Sequence, residues 1–389
     1  MNYLKIKPTL LATLTALVTS NAYASSLNQT DVTIGGYIKA DLMLSHYSNG
    51  APDTNSISRQ SYIPGTISGD SNNGKNVLDF HARESRFNIA AQNDIDGVKV
   101  SGFIELDFMT HFDGSERIDN GYSPRLRLAY LNYDKWTIGQ NWSTFQNPSV
   151  LPDNLDFSSA ADGSPFIRQG QVRYTNGKFQ VSLENPESTF TSVETESRVT
   201  SGSGWLPDVV LRYNFLNENN AQLNLSSVFR RVSLDSKVNQ DKIKADEFGY
   251  GVSLAGKLPV GNMDDFRFTI TAGEGLGRYA ALNYINAATL NAEGDTKRIR
   301  TVSGFMAYRH FWNEKLRSSL TLSGITADNP TVISNKAINK SSYSGYVNLL
   351  YSPTVNTTFG VELMHANNKQ ENGSDVELTR LMFSAKYSF

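Results

Sequence analysis

From Thr33 to the C-terminus, apolar and polar side chains alternate with period two in runs of about ten residues, and clusters of Gly, Asn, Asp, Ser and Pro separate the runs. The last run is the clearest. Thr379, Leu381, Phe383, Ala385, Tyr387 and Phe389 share one parity, and Arg380, Met382, Ser384, Lys386 and Ser388 share the other. Successive side chains of a strand point to opposite faces, so this pattern predicts one apolar and one polar face. A barrel wall with lipid outside and water inside needs both.

The same reading places a first strand from Thr33 through Leu42, then strands over Glu84 to Gln92, Ser101 to Phe108, Arg125 to Tyr133 and Thr137 to Asn141. Further strands follow over Gln169 to Tyr174, Lys178 to Glu184, Pro207 to Phe215, Gln222 to Val232 and Glu247 to Lys257. The series closes with Asp265 to Thr271, Arg300 to Phe311, Lys315 to Gly324, Ser342 to Tyr351, Thr357 to Met364 and Glu377 to Phe389. The count is about sixteen, and an even number suits a bacterial single-chain barrel.

Turn chemistry gives the direction. Asn93 to Gly97, Tyr133 to Lys135, Thr175 to Gly177, Asn217 to Asn220, Trp312 to Glu314 and Ser352 to Thr354 read as tight turns. Longer connections lie between them: Ser48 to Asn76, His111 to Ser123, Trp142 to Ser164, Asn185 to Gly204 and Glu274 to Thr296. Short periplasmic turns and long outer loops are the asymmetry of an outer-membrane barrel. The Ser/Asn/Gly-rich loops Ser48 to Asn76 and Glu274 to Thr296 read as mobile shields of the pore mouth. Tyr37, Phe108, Tyr130, Tyr174, Tyr213, Phe215, Tyr351 and Tyr387 stand at strand ends, where aromatic girdles belong. A soluble β-sandwich is the competing architecture, but no second composition regime accompanies the sixteen runs.

Composition and charge narrow the class. Lys5 and Lys7 precede the apolar run Leu10 to Val18, and Ala22-Tyr23-Ala24 offers small residues for cleavage, so residues 1–24 read as a signal peptide cut after Ala24. That run is too short and Thr-rich for an anchor helix across ~30 Å of hydrocarbon. The remaining 365 residues, 25–389, form one barrel domain with 34 basic and 38 acidic side chains, a net charge of -4. Their near-neutral balance argues against nucleic acid as a partner. No later stretch is apolar enough for a spanning helix, so any membrane-spanning part must be a closed barrel. The chain has no cysteine, and its five histidines show no metal-ligand spacing. No metal or other cofactor is expected; Phe112 to Tyr122, with Asp113, Glu116 and Asp119, reads as a solvated turn rather than a calcium loop.

The polar parity carries the chemistry. Arg86, Arg125, Arg127 and Arg173 lie on it, as do Arg212, Arg230, Arg267 and Arg317, while Arg83 and Arg168 sit where strands meet loops. Facing lipid at mid-depth, each would cost roughly 2 to 4 kcal/mol, so the lumen is their place. Guanidinium groups in a narrow pore lower the energy of a passing carboxylate or phosphate. Cross-wall pairing with Glu84, Glu105, Asp107, Glu184 and Glu362 would neutralise part of them. Trp142 to Ser164 is the loop expected to fold inward, with Trp142, Phe145 and Phe157 to pin it and Asp153, Asp156 and Asp162 to face the basic wall.

Several motifs resemble the DcaP-like porins. Gly36-Tyr37-Ile38-Lys39-Ala40-Asp41 and Ala82-Arg83-Glu84-Ser85-Arg86-Phe87 look like that family's first two strands. Glu105-Leu106-Asp107-Phe108, Arg125-Leu126-Arg127-Leu128-Ala129-Tyr130 and Gly139-Gln140-Asn141-Trp142-Ser143-Thr144-Phe145 continue in order. Pro152-Asp153-Asn154-Leu155-Asp156-Phe157 and Arg168-Gln169-Gly170-Gln171-Val172-Arg173-Tyr174 complete the resemblance, which is dense from Gly36 to Tyr174. It implies a homotrimeric sixteen-stranded porin in outer-membrane lipid and lipopolysaccharide, passing small anionic solutes such as dicarboxylates. The implied constriction is Arg83, Arg86, Arg125, Arg127, Arg168 and Arg173, with Asp153 and Asp156 on the inserted loop. Some members carry an N-terminal helical extension; here only Ser25 to Asp31 precede the first strand, so no periplasmic stalk is expected. The expected activity is passive diffusion, not catalysis: no Ser/His constellation marks a barrel enzyme. A non-selective porin and a loop-based adhesin are the alternatives.

Overall fold

The computed structural model describes residues 30–389 except 70, 72, 111–117, 203, 239–240 and 334–335. The expected signal peptide, its cleavage point, His111, Asp113 and Glu116 lie outside the described residues.

The wall begins with β1 (Asp31–Tyr47), which pairs through one edge with two collinear segments, β2 (Lys75–His81) and β3 (Arg86–Ile95). Residues 82–85 interrupt them, so β2 and β3 act as one wall strand. There follow β4 (Val98–Asp107), β5 (Arg125–Tyr133), β6 (Trp136–Trp142), β7 (Arg168–Asn176) and β8 (Phe179–Glu184). Outside the wall, β9 (Ser188–Ser192) and β10 (Arg198–Ser201) form a hairpin. The wall resumes with β11 (Asp208–Glu218), β12 (Ala221–Val238), β13 (Asp241–Val260) and β14 (Asp264–Glu274). The short β15 (Ala288–Leu290) and β16 (Thr296–Arg298) join the β9–β10 hairpin in a separate four-stranded sheet. The wall ends with β17 (Arg300–Phe311), β18 (Leu316–Asp328), β19 (Asn339–Thr354), β20 (Thr357–Gln370) and β21 (Asp375–Ser388).

Each wall strand pairs antiparallel with its neighbours, and β21 returns to β1 from Tyr37↔Ser388 to Tyr47↔Leu378. The result is a closed sixteen-stranded barrel, with a wall strand at every segment read from the sequence. Phe389 completes the seam: its N–H donates to Gly36 O (3.1 Å) and its carbonyl accepts from Gly36 N (3.2 Å). Closure of β21 on β1 leaves the sheet without a free first or last strand, as a hydrocarbon environment requires.

Local chemistry sets the short turns. Asp96 (φ 54°) with Gly97 (φ 80°), and Asn219 (φ 52°) with Asn220 (φ 62°), supply paired left-handed residues. Such two-residue turns match the twist of a hairpin. Another short turn, around Gly261 between β13 and β14, belongs to the same rim.

The period-two pattern resolves into lipid and lumen faces. Ile38, Leu131, Ile138, Ile270, Leu320, Val347, Leu363 and Phe383 are exposed on the outer face, with Tyr213, Phe215, Trp312, Tyr351 and Tyr387 near its short-turn rim. Two predicted girdle residues behave otherwise. Tyr37 donates to Glu84 Oε1 (3.1 Å) and Tyr130 packs on Phe103 (5.5 Å between centroids), each on the parity opposite its outward neighbours Ile38 and Leu131. Both line the lumen.

At Gly139 (φ 131°), a Cβ would lie 2.3 Å from Ala129 O on the paired strand. Gly139→Ala is expected to lower stability by about 1–3 kcal/mol, read as earlier loss of the heat-resistant folded band on electrophoresis. Gly102→Ala, where the added Cβ meets nothing within 4 Å, should leave the band unchanged.

The wall is uneven. Strands β4 to β8 have six to ten residues, whereas β12 and β13 have 18 and 20. The β12–β13 hairpin thus continues well beyond Val232 and Glu247, where the sequence reading ended it. On its inner side Val232, Leu234 and Ala245 pack with Phe190, Ala287, Ala288 and Leu290 of the four-stranded sheet and its flank.

Candidate functional site

The connection from Trp142 to Arg168 folds into the barrel and follows the inner wall around most of its circumference. Its first turn is held at β8, where Thr144 N donates to Glu184 Oε1 (2.8 Å). Asn147 then donates to Asn224 Oδ1 on β12 (2.7 Å), and Arg267 of β14 donates to Leu151 O. Arg309 of β17 and Arg317 of β18 both reach Asp153, at 3.2 and 2.7 Å. Asn348 of β19 donates to Asp153 O (2.8 Å). Glu362 of β20 accepts from Leu155 N (2.8 Å) and Asp156 N (3.0 Å). Arg380 of β21 pairs with Asp156 (3.4 Å), and Lys39 of β1 donates to Leu155 O (2.7 Å).

These contacts explain why the loop carries acids and why much of the wall is basic. Each carboxylate of the loop has a specific task. Burial drives the Asp153 carboxyl upward, but the Arg317 and Arg309 guanidiniums outweigh it and hold it below the ordinary carboxylate range. Asp156 is buried and accepts from Tyr62 N (3.0 Å) besides pairing with Arg380. Asp162 accepts from Ser323, from Ser344 (2.8 Å) and from Tyr62 Oη (3.3 Å); burial nevertheless pushes it above the usual range. Asp153 is therefore the loop acid with most access to the lumen.

Two further loops fold inward, contrary to their reading as mobile shields. In the first, Arg59 pairs with Asp79 (2.8 Å), Ser61 donates to Asp156 (3.2 Å), and Tyr62 and Ile67 are buried against Ala161, Tyr346 and Met364. In the connection after β14, Leu276, Tyr279, Tyr284 and Ile285 are buried with Phe145 and Ile167, and Ala281 N donates to Ser164 O (3.0 Å). Apolar residues in these two segments were the available sequence signal.

The predicted arginines divide into groups. Arg125 makes a two-pronged contact with Asp107 (both bonds 2.8 Å), and Arg127 bonds Glu105 and Asp107 (both 2.7 Å). Arg86 lies 3.7 Å from Glu105. The Phe157 ring, carried in by the loop, lies 5.5 Å from the Arg125 guanidinium and 5.2 Å from that of Arg127. Arg83, in the break between β2 and β3, lies over the Tyr122 ring (3.6 Å). Arg168 stacks on Trp142 (5.1 Å), which packs edge-on against Phe166. Arg173 reaches back to Trp142 O and Gln171 Oε1, away from the Arg125–Arg127 pair. Asp153 and Asp156 lie along the loop toward β17–β21.

The acids expected as cross-wall partners also divide. Glu84 pairs with Lys39, and Glu105 and Asp107 with the arginines just described. Glu184 and Glu362 instead accept backbone N–H groups of the inserted loop. A buried carboxylate aimed at a backbone segment carries no sequence signal apart from its parity.

Burial orders charge at two places in this wall. At Arg125–Asp107 the arginine side chain is 26% exposed and the aspartate 0%, and at Arg86–Glu105 the values are 20% and 10%. In these two pairs the arginine is the more exposed partner, whereas at Arg127–Glu105 (3% and 10%) and at Arg317–Asp153 the carboxylate is.

A closed antiparallel barrel with aromatic-bordered lipid face, charged lumen and inward loop defines the outer-membrane porin class. Comparison with known proteins agrees. The chain belongs to the DcaP outer membrane protein family, whose profile matches residues 11–389. The outer membrane channel DcaP of Acinetobacter baumannii superposes with a TM-score of 0.74 at 22% identity, covering 94% of this chain and 99% of that one. An anion-selective porin from Comamonas acidovorans gives 0.54 at 11% identity, covering 93% and 100%. The trimer form of OmpT from Vibrio cholerae gives 0.52 at 10%, covering 93% and 100%. No curated protein matches the sequence. The protein is an outer-membrane porin-type channel.

Proposed function

We propose that this channel passes small hydrophilic solutes by passive diffusion and prefers anions, carboxylates above all, at a constriction lined by Arg83, Arg86, Arg125, Arg127 and Arg168. The observation that carries this reading is the exposure of two ion pairs in the wall: Arg125 and Arg86 present guanidinium to the lumen while their partners Asp107 and Glu105 are the more buried. There a passing solute meets positive charge first. Planar, multiply donating guanidiniums match a carboxylate geometrically as well as electrostatically. The anion selectivity named for the Comamonas porin supports the same reading, as does the position of Phe157, which sets a flat apolar surface beside the cations.

The proposal includes export by a signal peptide cleaved after Ala24, no catalytic activity, and assembly as a homotrimer. Trimers fit the low sector of the wall: β4 to β8 are short, and Gly102 and Gly170 leave open space where side chains would otherwise stand. The OmpT trimer is a precedent for this architecture. Outer-membrane lipid and lipopolysaccharide would surround the remaining faces.

Reversal potentials across a planar bilayer with a KCl gradient test the reading directly. The expected result is stepwise conductance with chloride favoured over potassium, strongest at low salt because screening at ~0.15 M limits electrostatic reach to ~8 Å. Strong cation preference at moderate salt would overturn it.

A further inference from the structure

Among the described residues two arginines on the short-turn side of the lumen, Arg173 and Arg212, form no ion pair with a carboxylate, a trait they share with Arg168 of the constriction. Arg173 on β7 donates from Nε to Gln171 Oε1 (3.1 Å) and from Nη2 to Trp142 O. Arg212 on β11 donates from Nε to Asn214 Oδ1 (2.8 Å) and from Nη1 to Gln146 O (3.3 Å). Among the described residues no carboxylate oxygen lies within 4.0 Å of either group, whereas Arg125, Arg127, Arg230, Arg267, Arg309, Arg317 and Arg380 each have one. Only β8 separates the two: Arg173 is opposite Ser182, and Gln180 is opposite Arg212.

Their position is distinct from the constriction. Both strands reach the short-turn rim within a few residues of these arginines, and Gln180 follows the Asn176–Phe179 turn. The guanidiniums therefore reach the start of the inserted loop from its periplasmic side. The acceptors that hold them are two carbonyls and two side-chain amides, which orient the groups without cancelling their charge. A guanidinium has five N–H donors, so each retains donors beyond the bonds it makes here. Gln180, Thr175, Ser182 and Asn214 are neutral neighbours, and Glu184, two residues beyond Ser182 on β8, acts on Arg173 only from beyond ion-pair distance.

We propose that Arg173 and Arg212 form a second anion station in the periplasmic vestibule, taking small oxyanions such as carboxylates or phosphates after they leave the constriction. Two like charges held close by neutral acceptors repel each other, and a bound dianion relieves that repulsion while filling the remaining donors. A solute then passes through two successive sites on one side of the lumen. This inference rests on the anion-preferring reading of the channel.

Inorganic phosphate added to one side at a time, with block of single-channel KCl current as readout, separates the two sites. Arg173→Gln with Arg212→Gln is expected to weaken block from the periplasmic side by about tenfold, the scale of a lost charged hydrogen bond, and block from the outer side less than about twofold. Arg173→Lys with Arg212→Lys should keep most of the periplasmic block. Arg212→Gln alone, which gives up two bonds, supplies the test if the double variant does not fold. Equal weakening from both sides, or none, overturns the station. If Arg125→Gln with Arg127→Gln alters ion preference while the Arg173 and Arg212 variants alter nothing, only this inference fails; if neither pair alters it, the anion-preferring reading fails with it.

Discussion

Replacing Arg125 and Arg127 together with Gln is expected to abolish the proposed anion preference and turn selectivity toward cations. The cluster of Arg86, Arg125 and Arg127 facing Glu105 and Asp107 goes from three positive charges against two negative to one against two. A unit charge ~6 Å from a solute, at an effective dielectric of ~40, contributes about 1.4 kcal/mol before screening. Losing two should shift the chloride-to-potassium permeability ratio by at least about tenfold. The variant also leaves Asp107 buried without its partners; adding Asp107→Asn as a folding control leaves Arg86 against Glu105 alone, so that background should lose anion preference without turning toward cations. Asp107→Asn alone should move selectivity the opposite way, toward anions. Reversal potentials unchanged in the double variant would remove these two residues from the selective site.

Replacing Arg380 with Met should release the inserted loop. Arg380 pairs with Asp156 and donates to Ser45 Oγ (2.9 Å) and Tyr47 Oη (3.0 Å), with both charged side chains buried. Breaking one half of such a pair costs about 3–5 kcal/mol because the other charge stays desolvated. Asp156 also holds Tyr62 N of the first loop, so two loops lose their anchor. The expected outcome is larger and noisier single-channel current with earlier heat unfolding, largely reversed by adding Asp156→Asn. A variant with quiet wild-type current would show that the remaining contacts suffice.

The wall was legible because lipid imposes a period that few other environments demand. Every predicted segment falls on a wall strand, and the apolar parity of β21 pairs with that of β1 as a closed barrel needs. The reading failed where that constraint lapses. Beyond Val232 and Glu247 the hairpin stands above the hydrocarbon, its outer face carries Asp235 and Lys244, and alternation no longer reports a strand. Residues 75–81 were lost because the break at 82–85 obscures their alternation with β3.

The site was legible in kind more than in detail. Parity placed Arg86, Arg125, Arg127 and Arg380 inside, but parity does not say which arginine meets a carboxylate. That Asp107 neutralises Arg125 while Arg212 meets only amide and carbonyl depends on strand register and on the path of the inserted loop. The inward folding of Tyr62 and Tyr279 was hidden for the same reason, since polar loop composition masks a few buried aromatics.

The inserted loop touches most of the sixteen wall strands, by hydrogen bond or ion pair from β8 around to β1 and by the Phe157 ring on β5. In engineering terms it is both aperture and hoop. Any substitution that alters the opening also removes a brace from the cylinder, so permeability and robustness are tied to one set of residues. A natural variant that narrows or widens this channel would be expected to carry a less durable barrel, or compensating changes far from the pore.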